Sequence, residues 1–110
     1  MMKIDIFAHP LFSNLRARWF YRRGMEHANQ YRNALAIADY TRVIEMTAAA
    51  THLRAKALFN RALVYHATLK VSKSINDLHA VLEMAGATGE VKLEARRKLV
   101  RMERNSLRSG

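Results

Sequence analysis

The sequence predicts an all-α protein of about five helices folded as antiparallel hairpins, and three observations carry the prediction. Helix-forming residues fill nearly all of the span from residue 11 to residue 108. Breakers are few, with one Pro at position 10 and four Gly at 24, 86, 89 and 110. A nine-residue segment, 38–46, recurs at 76–84 with Asp, Val, Glu and Met identical, an offset of 38 residues. Long helical spans cut by short joints, and repeated at a fixed period, are the signature of stacked helical hairpins.

The elements follow in order, with polar or small residues clustered at 47–51, 69–74 and 85–89 marking the joints. Residues 1–12 form an arm; in it only Lys3, Ile4, Asp5 and Ile6 alternate, too short a run for a strand. The first helix is placed over 13–29 and the second over 33–47. The third is placed over 52–68. The fourth, over 73–85, has Ser72 as a candidate N-cap and Gly86 as a candidate C-cap, and the fifth, over 90–107, opens on Thr88. Carried backwards, the 38-residue offset aligns Ala17, Phe20, Arg23, Gly24 and His27 with Ala55, Leu58, Arg61, Ala62 and Tyr65. Carried forwards, it sets Leu58, Arg61 and Ala62 against Arg96, Leu99 and Val100. The repeats therefore run over about 17–50 and 55–88, and the fifth helix is a third copy of the unit's first helix, capping a helical domain over 13–110.

Composition bounds the rest. A chain of 110 residues has the surface-to-volume ratio of one domain, and 50% hydrophobic residues is more than a disordered tail carries. The absence of Cys removes disulfides, thiolate catalysis and cysteine metal sites. No apolar run approaches the roughly 20 residues of a bilayer span, and Lys3 and Asp5 interrupt the first ten residues, so a cytoplasmic protein is expected. The net charge is +10, and the excess is densest after residue 85, where seven basic residues face three acidic ones. Such a field speeds association with RNA, DNA, anionic lipid or an acidic protein without choosing among them.

The repeated residues resemble the tetratricopeptide repeat (TPR) family. Its pattern is bulky–x2–Leu–small–x2–Tyr in one helix and Ala–x3–Phe in the next. Here it reads Phe20-x2-Arg23-Gly24-x2-His27 then Ala36-x3-Tyr40, and Leu58-x2-Arg61-Ala62-x2-Tyr65 then Ser74-x3-Leu78. A small residue at Gly24 or Ala62 lets the two helices of a hairpin approach, and the bulky residues fill the layers around it. The resemblance covers residues 15–107 and implies a short α-solenoid. Three departures stand out: Arg23 and Arg61 replace Leu, the closing Pro is missing, and the unit is 38 residues rather than about 34. The first departure predicts arginine stems laid along the helix with their heads in solvent.

An enzyme is not expected. None of the five His (9, 27, 52, 66 and 79) lies three or four residues from another on one helix, and there is no His-Glu-x-x-His spacing or glycine-rich phosphate loop. Asp39/Asp77 and Glu45/Glu83 recur with the period, so they belong to the repeat rather than to a unique site. No metal or cofactor is predicted.

The resemblance implies instead that the first helix of each hairpin lines a concave face for extended peptides. On it fall Arg18, Tyr21, Met25 and Asn29, then Lys56, Phe59, Asn60, Leu63, His66 and Ala67. The apolar members suit hydrophobic anchors, while Arg18 and Lys56 stand at the edge for acidic groups. The family's carboxylate clamp is not expected, because Tyr21, Met25 and Glu94 replace three of its five residues; only Asn60 and Lys98 fit. At the N-terminal end Ile4, Ile6, Phe7, Leu11, Phe12, Leu15 and Trp19 need cover. Either the arm folds back over them, or this end is an interface with a partner or a second copy. On the fifth helix Arg97, Arg101, Arg104 and Arg108 form one stripe and Val91, Ala95, Leu99 and Met102 another; Leu93, Val100 and Leu107 lie between. The basic stripe is either the solvated face of a capping helix or a binding surface. The expected function is a protein-interaction adaptor or scaffold for an extended segment or a neighbouring subunit, possible partners being acidic. The alternative is a nucleic-acid- or ribonucleoprotein-associated protein that grips phosphates.

Overall fold

The computed structural model describes residues 9–109. Five helices follow one another: α1 (Pro10–Asn29), α2 (Asn33–Glu45), α3 (Thr51–Ala67), α4 (Val71–Glu83) and α5 (Gly89–Ser109). Among the described residues every helix is of the α type and there is no strand. Each helix packs chiefly on its neighbours in sequence; α1 also meets α3, and α3 meets α5. None of the helices is long and apolar enough to cross a membrane.

The first helix starts three residues earlier than the sequence reading places it. Pro10 suits a first turn, where its missing N–H has no intrahelical acceptor in any case. His9 then caps the turn, its Nδ1 accepting from the Leu11 N–H at 3.1 Å.

The two hairpin turns are built alike. Past α1, the Arg32 N–H donates to the His27 carbonyl at 2.8 Å and the Tyr31 N–H to the Ala28 carbonyl at 3.1 Å. Past α3, Lys70 donates to Tyr65 at 2.8 Å and Leu69 to His66 at 3.1 Å. This crossed pair of bonds needs a left-handed residue between its donors, and Tyr31 (φ 59°) and Leu69 (φ 64°) supply it. Because Lys70 is consumed in closing α3, α4 starts at once on Val71. Ser72 therefore lies inside the helix and is not its cap. Gly86 is not the C-cap of α4 either: Met84 is, and Gly86 bends the following connection with φ 85°. Thr88 does precede α5, its Oγ1 facing the Val91 N–H at 3.4 Å.

A left-handed side chain costs roughly 1–2 kcal/mol, of which the greater freedom of glycine in the unfolded chain returns about 0.4–1 kcal/mol. Tyr31→Gly and Leu69→Gly, both at exposed positions, are each expected to raise stability by about 0.5–1 kcal/mol. A higher denaturant midpoint at constant slope is the readout; an unchanged midpoint would show that neither turn is strained.

Two apolar clusters form the core. The first joins Ala17, Phe20 and Tyr21 of α1 with Ala36, Tyr40 and Val43 of α2, and receives Leu53, Ala57 and Val64 of α3. The second joins Leu58 and Ala62 of α3 with Leu78 and Val81 of α4, and receives Ala95 and Met102 of α5. Ala57 and Ala95, like Val64 and Met102, stand 38 residues apart, so each later first helix inserts the same positions into the hairpin before it.

Arg23 and Arg61 do not hold their heads in solvent. Nε and Nη2 of Arg23 donate to Oδ2 and Oδ1 of Asp39, both at 2.7 Å. The same atoms of Arg61 donate to Oδ2 and Oδ1 of Asp77, both at 2.8 Å. The second helix of each hairpin carries its carboxylate into the interface, leaving Asp39 2% and Asp77 6% exposed. A buried carboxylate is tolerable only when fully paired, and the planar guanidinium fork pairs both oxygens at once. The departure from Leu is thus explained by the aspartate opposite.

Candidate partner-binding face

Because α1 meets α3 and α3 meets α5 while α2 and α4 do not meet among the described residues, the three first helices share one wall. Two shallow depressions lie in it. The larger, of about 370 Å³, is lined by Tyr21, Lys56, Phe59 and Asn60, by His52, and by Thr88, Glu90, Val91 and Glu94 at the start of α5. The smaller, of about 230 Å³, is lined by Met25, Ala28, Asn29, Tyr40, Asn60, Leu63 and Val64. Asn60 belongs to both and joins them.

Seven of the residues read from the sequence as groove-lining are thereby brought together: Tyr21, Met25, Asn29, Lys56, Phe59, Asn60 and Leu63. Arg18 is exposed and His66 half-buried, and neither lines the depressions. Burial, and secondarily Lys98, lower the His66 pKa below its ordinary value. Tyr21 differs from the expectation of an exposed groove residue. It is only 9% exposed, its ring 6.0 Å from that of Tyr40, and its hydroxyl accepts from Asn60 Nδ2 at 2.9 Å. The cause is its place on α1: one turn on from Ala17, it faces α3 across the seam rather than open solvent. Burial raises its pKa, and the Asn60 hydrogen bond acts against that. The part of this lining missed by sequence reasoning is Glu90 and Val91 of α5 together with His52; Glu94 is foreseen only as a mismatch to the carboxylate clamp. The signal for it was the 38-residue register, which sets Glu94 after Lys56 and Arg18.

The charges of the larger depression are mixed. Lys56 lies with its Nζ 5.3 Å from the Tyr21 ring centre, facing Glu90 and Glu94 across the cleft, and Glu94 is itself paired with Arg97 at 2.9 Å. The depression thus offers both signs to a peptide backbone and an apolar floor of Phe59 and Val91 to a side chain. Among the described residues no three His, Asp or Glu side chains gather as a metal site requires.

Arg97, Arg101, Arg104 and Arg108 are all exposed along α5. The first three, with Arg96, Leu93 and Val100, border a trough of about 370 Å³. In the 38-residue register Arg97, Arg101 and Arg104 follow Phe59, Leu63 and His66, so the stripe continues the first-helix positions. At the other end Leu15 and Trp19 are exposed, and the Arg23 guanidinium lies 4.5 Å over the Trp19 ring. Phe12 is at the margin of exposure, and Phe7 lies outside the described residues.

Tyr40, behind the smaller depression, titrates late. Burial and then the nearby Tyr21 push its pKa up to about 12 from 10.0, against the Asn60 hydrogen bond. A tyrosine whose folded pKa is raised contributes stability that is complete below the unfolded value near pH 10 and is lost as pH rises toward about 12. Between pH 9 and pH 11 the wild type is therefore expected to lose about 1 kcal/mol more stability than Tyr40→Phe. Parallel stability curves for the two proteins would contradict the assignment.

Comparison of the chain with protein-family models, curated proteins and solved structures finds no match.

Proposed function

We propose that the chain is a TPR-like scaffold that holds an extended segment of another protein along α1, α3 and α5. In this reading the hairpins stack as a short α-solenoid, and the chain is an adaptor rather than an enzyme. The observation that carries it is the pair of depressions joined at Asn60, because they open along α1, α3 and α5, with Tyr40 of α2 the one side chain that a second helix adds to their lining. Recurrence supports it too: the guanidinium–carboxylate fork, the left-handed turn residue and the inserted small side chain each return after 38 residues.

The test is affinity capture from native lysate on wild-type protein and on a Phe59→Ala/Leu63→Glu variant, each with and without nuclease at two salt concentrations. A protein retained by wild type after nuclease and lost by the variant is the expected result. Capture that depends on nucleic acid and ignores the variant would sink the reading. That outcome would favour the second one, phosphate binding through Arg101, Arg104 and Arg108, which are exposed with no acidic side chain within ion-pairing distance among the described residues. For that reading, replacing two of the arginines by Gln should flatten the slope of log K against log salt by about two.

A further inference from the structure

The outer face of α1 repeats a helix-docking surface that the described residues fill at the next copy and leave open here. In the 38-residue register Leu11, Leu15 and Trp19 stand where Ala49, Leu53 and Ala57 stand one period later. Those three are 6%, 6% and 0% exposed because they seat against the first hairpin, whereas Leu11, Leu15 and Trp19 are 59%, 52% and 56% exposed. Ala95, one period further on, is again fully buried, against the second hairpin.

Two arginines extend the match beyond apolar surface. Where α3 seats on α2, Arg54 Nε donates to the Ile44 carbonyl in the last turn of α2 at 2.9 Å. Arg61, whose Nε and Nη2 hold Asp77, uses its remaining Nη1 to donate to Thr41 Oγ1 at 2.9 Å. One period earlier stand Arg16 and Arg23. Arg23 likewise commits Nε and Nη2 to Asp39, which leaves Nη1 for an acceptor that no described residue supplies.

We infer that this face seats a helix of a partner protein in the way α3 seats on α2. The last-turn carbonyl of that helix accepts from Arg16, and an oxygen-bearing side chain three residues upstream, as Thr41 is from Ile44, accepts from Arg23 Nη1. Charge fixes the chemistry of the partner. Arg16, Arg18 and Arg22 are exposed around the apolar stripe and only Glu26 opposes them on that arc, so the fitting occupant is an acidic amphipathic helix. A second copy of this chain would bring the same arginines against them, which like-charge repulsion disfavours. Nucleic acid would meet the arginines and leave Leu11, Leu15 and Trp19 in water. The site lies on a different face from the α1–α3–α5 wall and stands whether or not that wall holds a peptide.

Trp19 is the sole tryptophan, so its emission reports this face directly. The probes are two synthetic helical peptides with Leu at positions i, i+4 and i+7, one flanked by Glu and the other by Lys, titrated into the full chain. The Glu peptide is expected to shift Trp19 emission to the blue and to bind at least tenfold tighter than the Lys peptide. Leu15→Glu should weaken it tenfold or more and Arg16→Gln several-fold, with unchanged far-UV circular dichroism, while Lys73→Glu, exposed on α4 and outside both faces, should leave it as it was. No shift, or equal affinity for both peptides, overturns the proposal. So does a free protein of doubled mass that Leu15→Glu returns to a monomer, since a second copy then fills the face. A red shift of the free protein on deletion of residues 1–8 overturns it as well, the chain's own arm being then the cover. An oligonucleotide that shifts Trp19 and displaces the Glu peptide would assign the face to nucleic acid.

Discussion

Replacing Arg61 by leucine is expected to destabilise the protein by about 3–5 kcal/mol, and replacing Asp77 by leucine in the same chain is expected to return most of that loss. The single change leaves the Asp77 carboxylate in an interface where it is 6% exposed, with both oxygens stripped of their donors. Thr41 loses a donor too, though its hydroxyl keeps its own bond to the Ile37 carbonyl at 2.7 Å. Removing both charges takes away the attraction and the desolvation penalty together, and an apolar pair of similar volume is often neutral or better. A double-mutant cycle in denaturant, with constant slope, measures the difference. Costs that simply add would show that the fork contributes nothing as a pair. Arg23→Leu should follow the same pattern at smaller amplitude, because the Arg23 head is more exposed than that of Arg61 and His27 Nε2 remains 3.7 Å from Asp39.

Gly24→Ala is expected to destabilise by a net value of about 2 kcal/mol, although alanine is the better helix former. A Cβ at Gly24 would lie 2.8 Å from Cε1 and 2.9 Å from Cδ1 of Tyr40. That ring is 2% exposed and held by Tyr21, so it has nowhere to move. Overpacking costs about 1–3 kcal/mol, here at the upper end, against a propensity gain near 1 kcal/mol. The second hairpin shows the relief: there Ala62 stands in the place of Gly24 and Leu78 in the place of Tyr40. Gly24→Ala should therefore cost less in a Tyr40→Leu background than alone. A Gly24→Ala protein more stable than wild type would refute the close-packing account.

This pairing also shows what a sequence reveals and what it hides. Helix number and the identity of the small and bulky contact residues were legible because they depend on period and size, which recur as letters. The inward turn of Arg23 and Arg61 was harder to see. The arginine read alone is a residue that snorkels; only opposite an aspartate sixteen residues on does it become a fork, and both members of that pair recur with the period. The geometry of the turns was illegible for another reason. The ends of α1 and α3 fall within one residue of where the spacing places them, but Tyr31 and Leu69 do the work usually left to glycine, so the left-handed closure leaves no letter of its own and Ser72 suggests a cap two residues past Lys70. In the candidate site, Lys56, Phe59 and Asn60 followed from register. Glu94 followed from register as well, as a departure from the carboxylate clamp; Val91 did not, because by its spacing it belongs to the apolar stripe of Ala95, Leu99 and Met102.

The unequal anchoring of α5 has a kinetic consequence. As far as Met102 the helix is pinned by Ala95 and Met102, while every residue from 103 to 108 is exposed and no second helix backs it among the described residues. The seam between α2 and α3 is tied at two points by Arg54 and Arg61 of α3, which donate to Ile44 and Thr41 of α2. Amide hydrogens should therefore exchange in order of position, those past Met102 through local fraying and those of the α2–α3 seam only through global unfolding. Detachment of α5 takes Glu90, Val91 and Glu94 out of the larger depression and leaves Tyr21, Phe59 and Asn60 behind. A ligand that touches both walls must then slow exchange along the first half of α5 by the factor 1 + [L]/Kd. Occupancy of the cleft is in this way written into the protection of amides that the ligand never contacts.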